Sequence, residues 1–153
     1  MTVIAYRDGI MAADSLATAG DRITGHCKKV FKVVTPRGPE VFGVAGAATY
    51  VPLIREYLEG KGQLPMPNDV ERGVPQADRH GYAVLVASRG GVRVIADGCE
   101  SAAPDAPYHA IGCGSMFAQG ALAAGKSAED AVRATMECSP WCGGPVQAEK
   151  VDG

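Results

Sequence analysis

The sequence has 153 residues, which suits one domain that buries about two thirds of its unfolded surface. Its hydrophobic fraction of 46% and charged fraction of 21% are typical of a folded globular protein. A net charge of −2 gives no electrostatic basis for binding nucleic acid or an anionic membrane, so neither is expected as a partner. Neither a membrane-spanning apolar run nor a signal peptide is apparent, so the expected location is the cytoplasm.

The cysteine count argues against a disulfide framework, because it is odd and no secretion signal accompanies it. No Cys-x-x-Cys pair occurs, so Cys138 and Cys142 with His26 or His109 make a poor zinc site. We therefore predict no metal and no cofactor. The five cysteines are Cys27, Cys99, Cys113, Cys138 and Cys142.

The first half of the chain reads as strands followed by one helix. Residues 3–6 and 10–13 are predicted strands joined by a turn at Asp8-Gly9, because glycine accepts positive φ. Residues 46–60 are predicted to form a helix with Thr49 as its N-cap, since apolar residues recur there at helical spacing. Further strands are predicted at 22–24, 29–34 and 41–45. Residues 61–80 are predicted to be loop with room for one helical turn at 67–72.

The second half reads as a hairpin, a strand, two helices and a last strand. The helix before Gly125 and the helix after Ser127 are separate, because Ser127 with Asp130 resembles a capping box. The order is not a βαβ alternation and favours one α+β domain, 1–153, in which two antiparallel sheets pack together between helices. The strands are predicted at 82–86, 92–96, 108–111 and 146–148, the helices at 115–124 and 128–137, and a loop at 102–107.

Several polar residues near the N-terminus have chemical potential. If Met1 is removed, Thr2 carries a hydroxyl beside its own α-amine, which is one way to activate a weak nucleophile. Asp14 ends an apolar strand, where a carboxylate needs a partner. Strand alternation does not choose between Lys28 and Lys29, since both have apolar neighbours of the same parity. Without further information, Asp14 also suits a turn and either lysine also suits a solvated strand face.

Five short segments, in order, resemble proteasome beta subunits and HslV, which are N-terminal-nucleophile hydrolases. The last of them, a diglycine, resembles the one near the end of the proteasome beta subunits. They are Ala12–Gly20, Lys28-Lys29-Val30, Gly43–Ala47, Ile111–Ser115 and Gly143-Gly144.

The resemblance implies a four-layer αββα sandwich whose second helix is shortened or missing at 61–80. It implies a threonine peptidase in which Thr2, exposed by loss of Met1, attacks a peptide carbonyl. Lys29 then tunes Thr2, stabilising its alkoxide and lowering the pKa of its amine, and Asp14 orients Lys29. The backbone N–H groups of Gly46 and Ala47, expected at the start of the first helix, would form the oxyanion hole. An ordinary glycine turn is the alternative there.

Three supporting positions depart from the family pattern. Cys113 and Cys142 stand in the places of serines, and Ser139 stands in the place of an aspartate. These departures favour an alternative function as a catalytically impaired scaffold for assembly or binding. A further alternative is an amidase of the same superfamily that acts on a small amide.

The resemblance also implies partners. Family members self-associate into rings of six or seven subunits that stack in pairs, with the active sites inside. The implied substrate is an unfolded polypeptide, and an ATP-dependent unfoldase is an expected partner.

Overall fold

The computed structural model describes residues 1–102, 105 and 107–151. Within these residues, no helix is both long enough and apolar enough to cross a membrane. The strands are β1 (Val3–Arg7), β2 (Ile10–Ala13), β3 (Leu16–Ala19), β4 (Arg22–His26), β5 (Val30–Thr35), β6 (Gly38–Gly46), β7 (Tyr82–Ser88), β8 (Gly91–Ala96), β9 (Cys99–Ala102), β10 (Tyr108–Gly112) and β11 (Gln147–Lys150). The helices are α1 (Tyr50–Leu58), α2 (Pro67–Val70), α3 (Ser115–Ala123) and α4 (Ala128–Cys138), with a 3-10 helix at Gln76–Asp78.

The strands form two main antiparallel sheets and a separate hairpin. The first sheet has the order β10-β1-β2-β11, and the second has the order β5-β6-β7-β8-β9. Among the described strands, β3 and β4 pair only with each other. The predicted α+β class with antiparallel sheets is therefore observed.

Three apolar clusters hold these elements together. One joins the first sheet to α3 and α4, with Val3, Ala12 and Leu122 among its members. A second joins α1 to the second sheet. The third contains residues of both sheets, including Ile4 and Leu85, both completely buried. Strand β2 reads as a nearly continuous apolar run because Ala12 belongs to the first cluster and Met11 and Ala13 belong to the third, so both of its faces are buried.

Most predicted elements are present, with shifted ends. The side chain of Ser127 caps α4 by accepting a hydrogen bond from the Asp130 N–H at 3.1 Å, as the sequence predicts. Strands β3 and β9 were not predicted, because each is short and has no clear apolar alternation. The predicted loop at 102–107 begins inside β9, and its residues 103, 104 and 106 lie outside the described residues.

The start of the first helix was predicted wrongly. Helix α1 begins at Tyr50, while Gly46 is the last residue of β6 and pairs with Tyr82. Gly46 has a φ of +143°, and a Cβ there would lie 2.9 Å from the carbonyl oxygen of Gly81. This close approach of two strands keeps Gly46 out of the helix. Thr49 is the N-cap residue, but its side chain makes no capping hydrogen bond.

The segment predicted as loop between α1 and β7 is anchored to the rest of the protein. The only α-helix described in this segment is α2, whose four residues lie within the helical turn predicted at 67–72. The second helix of the family pattern is therefore shortened here, as expected. Glu71 accepts hydrogen bonds from the Tyr50 hydroxyl and from the Gly81 N–H. The Tyr82 hydroxyl donates to the Pro65 carbonyl at 2.8 Å. These contacts explain how a proline-rich stretch stays ordered with little secondary structure.

A buried ion pair lies in the second sheet, away from the residues with predicted roles. The Glu40 side chain has no exposed surface, and both terminal nitrogens of Arg93 contact its carboxylate. Burial raises the pKa of Glu40, but hydrogen bonds from Arg93 and Thr35 and the positive charge of Arg93 outweigh this effect and lower the pKa overall. Glu40 therefore stabilises the fold in its charged form.

We expect Glu40→Gln to lower the free energy of unfolding by about 3 kcal/mol at neutral pH, since it removes the buried carboxylate and leaves Arg93 with Glu100 as its charged partner. Because the pKa of Glu40 is lowered in the folded state, its contribution is complete above the ordinary value of 4.5 and is lost as the pH falls through the lowered value. Urea denaturation of both proteins at about pH 7 and about pH 3 tests this. An equal stability difference at both pH values would contradict it.

Candidate active site

The register of the first sheet brings the N-terminal candidates together. Val3 pairs with Gly112 of β10, so the preceding Thr2 faces Cys113. Ile4 pairs with Ala13 of β2, so Asp14 comes opposite Val3. Two antiparallel ladders thus place a hydroxyl, a thiol and a carboxylate at the same end of the sheet.

Asp14 is completely buried and its carboxylate has three hydrogen-bond donors. Its Oδ1 atom accepts from the Val3 N–H at 3.1 Å and from the Lys29 ammonium at 2.9 Å. Its Oδ2 atom accepts from the Gly143 N–H at 3.1 Å. Such a complete set of donors offsets the cost of removing the negative charge from water.

Lys29 is the buried member of the lysine pair. Its side chain is 6% exposed and its ammonium donates to the carbonyl oxygen of Met1 at 2.9 Å as well as to Asp14. The Lys28 side chain is 59% exposed and lies 3.4 Å from Glu149. Strand alternation does not tell which of the two lysines is buried, and the structure shows that it is Lys29. Lys29, and not Lys28, lies beside the Met1–Thr2 peptide bond.

Thr2 is buried and its backbone is held by the turn after β10. The Thr2 N–H donates to the Cys113 sulfur at 3.3 Å. The Thr2 carbonyl accepts from the Gly114 N–H at 3.3 Å and from the Cys113 thiol at 3.5 Å. Cys113 thus contacts the nitrogen that becomes an amine when Met1 is removed.

Cys142 lies beneath this turn. It is 5% exposed, and a Cβ on Gly114, the residue after Cys113, would lie 3.1 Å from its sulfur. Burial, followed by the negative charge of Asp14, raises the pKa of Cys142 to about 12. Cys142 is therefore a neutral thiol at physiological pH. The Ser139 hydroxyl accepts a hydrogen bond from the Trp141 N–H at 3.3 Å, and among the described residues it makes no hydrogen bond to Thr2.

The two residues predicted for the oxyanion hole are exposed and lie where β6 ends and the chain turns toward α1. Gly46 ends β6, and Ala47 precedes α1 by three residues. Within the described part of the chain, no backbone or side-chain oxygen accepts a hydrogen bond from the Ala47 N–H. That N–H is a donor available to a ligand, although no contact joins it to Thr2.

Among the described residues, no group of three or more histidine, cysteine, aspartate or glutamate side chains is arranged to hold a metal ion. The arrangement around Thr2 instead offers a hydroxyl, a buried ammonium and a carboxylate that fixes the ammonium. These are groups for nucleophilic attack on a carbonyl.

Comparison with known proteins identifies the architecture. No family model and no curated protein sequence matches the chain. Among solved structures, Thiobacillus denitrificans BPH in complex with epoxomicin matches over 99% of both chains, with a TM-score of 0.68 and 20% identity. Eukaryotic HslV from Trypanosoma brucei also matches over 99% of both chains, with a TM-score of 0.64 and 16% identity. The chain has an HslV-like fold.

A second structure of T. denitrificans BPH agrees, with a TM-score of 0.64, 22% identity and coverage of 99% of this chain and 98% of that chain. These identities establish the HslV-like fold and leave the chemistry to be argued from the residues.

Sequence reasoning missed Gln147, the first residue of β11. Its side-chain oxygen accepts from the backbone N–H groups of Lys29 at 2.8 Å and Val30 at 3.4 Å. Its amide nitrogen donates to the carbonyl oxygens of Asp14 and Cys27, both at 3.0 Å. Gln147 therefore links the end of β2 to the start of β5. A polar residue within the short predicted strand 146–148 gave only a weak signal of this role.

We expect Gln147→Ala to lower the free energy of unfolding by about 2 kcal/mol, because it leaves several partly buried backbone groups without partners. The amide hydrogen of Lys29 should also exchange faster with solvent. Urea denaturation and residue-resolved hydrogen exchange test both effects.

The control is Lys150→Ala on the same strand, where the side chain is exposed. Gln147→Glu should keep the Lys29 amide protected, because a carboxylate still accepts from it, while losing both bonds that the Gln147 amide donates. Unchanged exchange of the Lys29 amide in Gln147→Ala would show that Gln147 does not hold this segment.

Proposed function

We propose that this protein is a proteasome-like threonine peptidase whose nucleophile is Thr2 after removal of Met1. One observation carries the proposal. The buried Lys29 ammonium, held by Asp14, donates to the Met1 carbonyl oxygen, an atom two bonds from the Thr2 nitrogen. A fixed positive charge therefore lies close to the Thr2 nitrogen, which becomes an amine when Met1 leaves.

The proposed reaction uses the two functional groups of Thr2. The α-amine takes the hydroxyl proton, and the Thr2 oxygen attacks the carbonyl carbon of a peptide bond. The leaving amine departs, and water then hydrolyses the acyl-enzyme. The positive charge of Lys29 stabilises the alkoxide and favours the neutral amine, because like charges repel. Asp14 keeps the lysine in place.

The developing negative charge on the substrate oxygen needs donors. The Ala47 N–H is exposed and has no acceptor among the described residues, so it is our proposed donor, together with Gly46. It belongs to a turn, not to a helix terminus. Its contribution would therefore come from a direct hydrogen bond and not from a helix dipole.

The departures at the supporting positions predict a slow enzyme. The Cys113 sulfur accepts from Thr2 N at 3.3 Å, so an acceptor is retained there, but a thiol is a weaker partner than a hydroxyl. Ser139 supplies no charge next to Thr2. The same two departures, at Cys113 and Ser139, also favour the alternative function, a catalytically impaired scaffold.

Assembly belongs to the same proposal. The three apolar clusters support a four-layer αββα order, with α3 and α4 outside one sheet and α1 outside the other.

We propose stacked rings of six or seven subunits that act on unfolded polypeptides in the cytoplasm with an ATP-dependent unfoldase. Large exposed apolar side chains supply surface for self-association. They include Met116 at 85%, Phe117 at 47% and Trp141 at 41% exposure.

The test of the nucleophile is the intact mass of the purified protein before and after treatment with epoxomicin, a peptide epoxyketone. We expect loss of Met1 and one adduct per chain. Thr2→Ala should form no adduct, because the reacting hydroxyl is gone, and Thr2→Ser should retain some labelling. A protein that keeps Met1 and forms no adduct would overturn the proposal in favour of the scaffold.

The neighbouring lysines provide a matched comparison. Lys29→Ala should lose at least about tenfold in labelling rate, equivalent to about 1.4 kcal/mol of barrier, while Lys28→Ala should label at the original rate. Circular dichroism checks that both remain folded. Light scattering gives the oligomeric state, where a monomer or dimer would favour the amidase or the scaffold over the peptidase.

A further inference from the structure

Two of the five cysteines lie near each other beside Thr2. The Cys142 sulfur lies against Gly114, the residue that follows Cys113, although 29 positions separate the two cysteines in the sequence. Gly114, which follows Cys113, leaves space for this approach, because a Cβ at Gly114 would lie 3.1 Å from the Cys142 sulfur. The turn after β10 thus brings two sulfur atoms together at the end of the sheet that carries Thr2.

The two sulfurs differ in their access to solvent. Cys113 is exposed and Cys142 is buried. An oxidant in solution can therefore reach Cys113 first, while Cys142 lies beneath it. An accessible thiol beside a second thiol is the arrangement of a redox-sensitive pair, in which one reacts and the other resolves the product.

We propose that Cys113 and Cys142 form a reversible disulfide when the protein meets a hydroperoxide, and that this bond withdraws the Cys113 sulfur from Thr2. The pair is thus a modification site that controls the environment of the Thr2 amine.

The chemistry balances in two steps. The Cys113 sulfur attacks one oxygen of hydrogen peroxide, the O–O bond breaks, and Cys113 becomes a sulfenic acid as one water is released. The Cys142 sulfur then attacks the Cys113 sulfur, the S–O bond breaks, and a second water leaves. Two thiols lose two hydrogens and two electrons, and the peroxide is reduced to water. A dithiol reductant reverses the reaction by thiol–disulfide exchange.

The consequence for Thr2 follows from its contacts. The Cys113 sulfur accepts from the Thr2 nitrogen at 3.3 Å and donates to the Thr2 carbonyl at 3.5 Å. A covalent bond to Cys142 removes the thiol hydrogen and redirects the sulfur toward the interior. This functional effect rests on the proposed role of Thr2, but formation of the disulfide does not.

The first experiment detects the bond itself. Cys27, Cys99 and Cys138 are exposed, so replacing all three with serine leaves only the proposed pair. After hydrogen peroxide, the intact mass should fall by two hydrogens, and dithiothreitol should restore it. Trypsin should release one cross-linked product that joins residues 94–126 to residues 134–150, which carry Cys113 and Cys142 respectively.

The second experiment measures the consequence in the same background. Epoxomicin labelling of Thr2 should be at least about tenfold slower after peroxide and should recover with dithiothreitol. Cys113→Ser should label at a rate that peroxide does not change, since its hydroxyl still accepts from Thr2 but does not oxidise. Cys142→Ser should instead gain oxygen atoms at Cys113, because the resolving thiol is missing.

The outcomes separate the two proposals. Absence of the cross-linked product overturns the disulfide, whether or not Thr2 reacts. A disulfide that leaves the labelling rate unchanged overturns the control of Thr2. If the reduced protein takes no epoxomicin, the proposed peptidase function fails, while the mass and the tryptic product still decide the disulfide.

Discussion

Asp14 carries a carboxylate into the interior with no exposed surface, and three separate segments are needed to hold it there. Its donors come from the first residue of β1, from the lysine just before β5, and from Gly143 in the turn before β11. An unpaired charge in that position would cost several kcal/mol. The buried carboxylate is therefore tolerated only because these donors surround it. The carboxylate therefore joins the N-terminus, the second sheet and the C-terminal turn.

The same carboxylate sets the character of its neighbours. It fixes the Lys29 ammonium against the Met1 carbonyl, and its charge adds to the effect of burial in raising the pKa of Cys142. One buried negative charge thus positions the Lys29 ammonium on one side of Thr2 and favours a neutral thiol on the other. Since a neutral thiol is a poor nucleophile, Cys142 is protected from direct reaction with an oxidant in solution.

The sequence was informative where a local rule sets the structure. Asp8-Gly9 predicts the first hairpin, and Ser127 predicts the start of α4, because both depend on residues a few positions apart. The partnership of Asp14 with a lysine followed from the cost of burying a carboxylate at the end of an apolar strand. The resemblance to the hydrolase family then selected Lys29, the lysine that the structure buries.

Features that depend on long-range register were beyond local rules. Gln147 bonds to residues more than a hundred positions away, and no periodicity marks it. The contact of Cys113 with Cys142 depends on how the turn after β10 packs against the segment after α4. The helix start at Gly46 was wrong because the approach of Gly81 across the sheet, invisible in the local sequence, keeps Gly46 in β6.

Close backbone approaches also explain how the chain retains an HslV-like fold at identities of 16–22%. Gly112 has a φ of +98°, and a Cβ there would lie 2.1 Å from the Thr2 carbonyl oxygen, so β10 can lie against the N-terminus only with glycine at this position. A Cβ on Gly144 would lie 2.4 Å from the Ser15 hydroxyl. Both glycines belong to segments that resemble the family. A few steric requirements around Thr2 can therefore preserve the site's framework while most other residues differ.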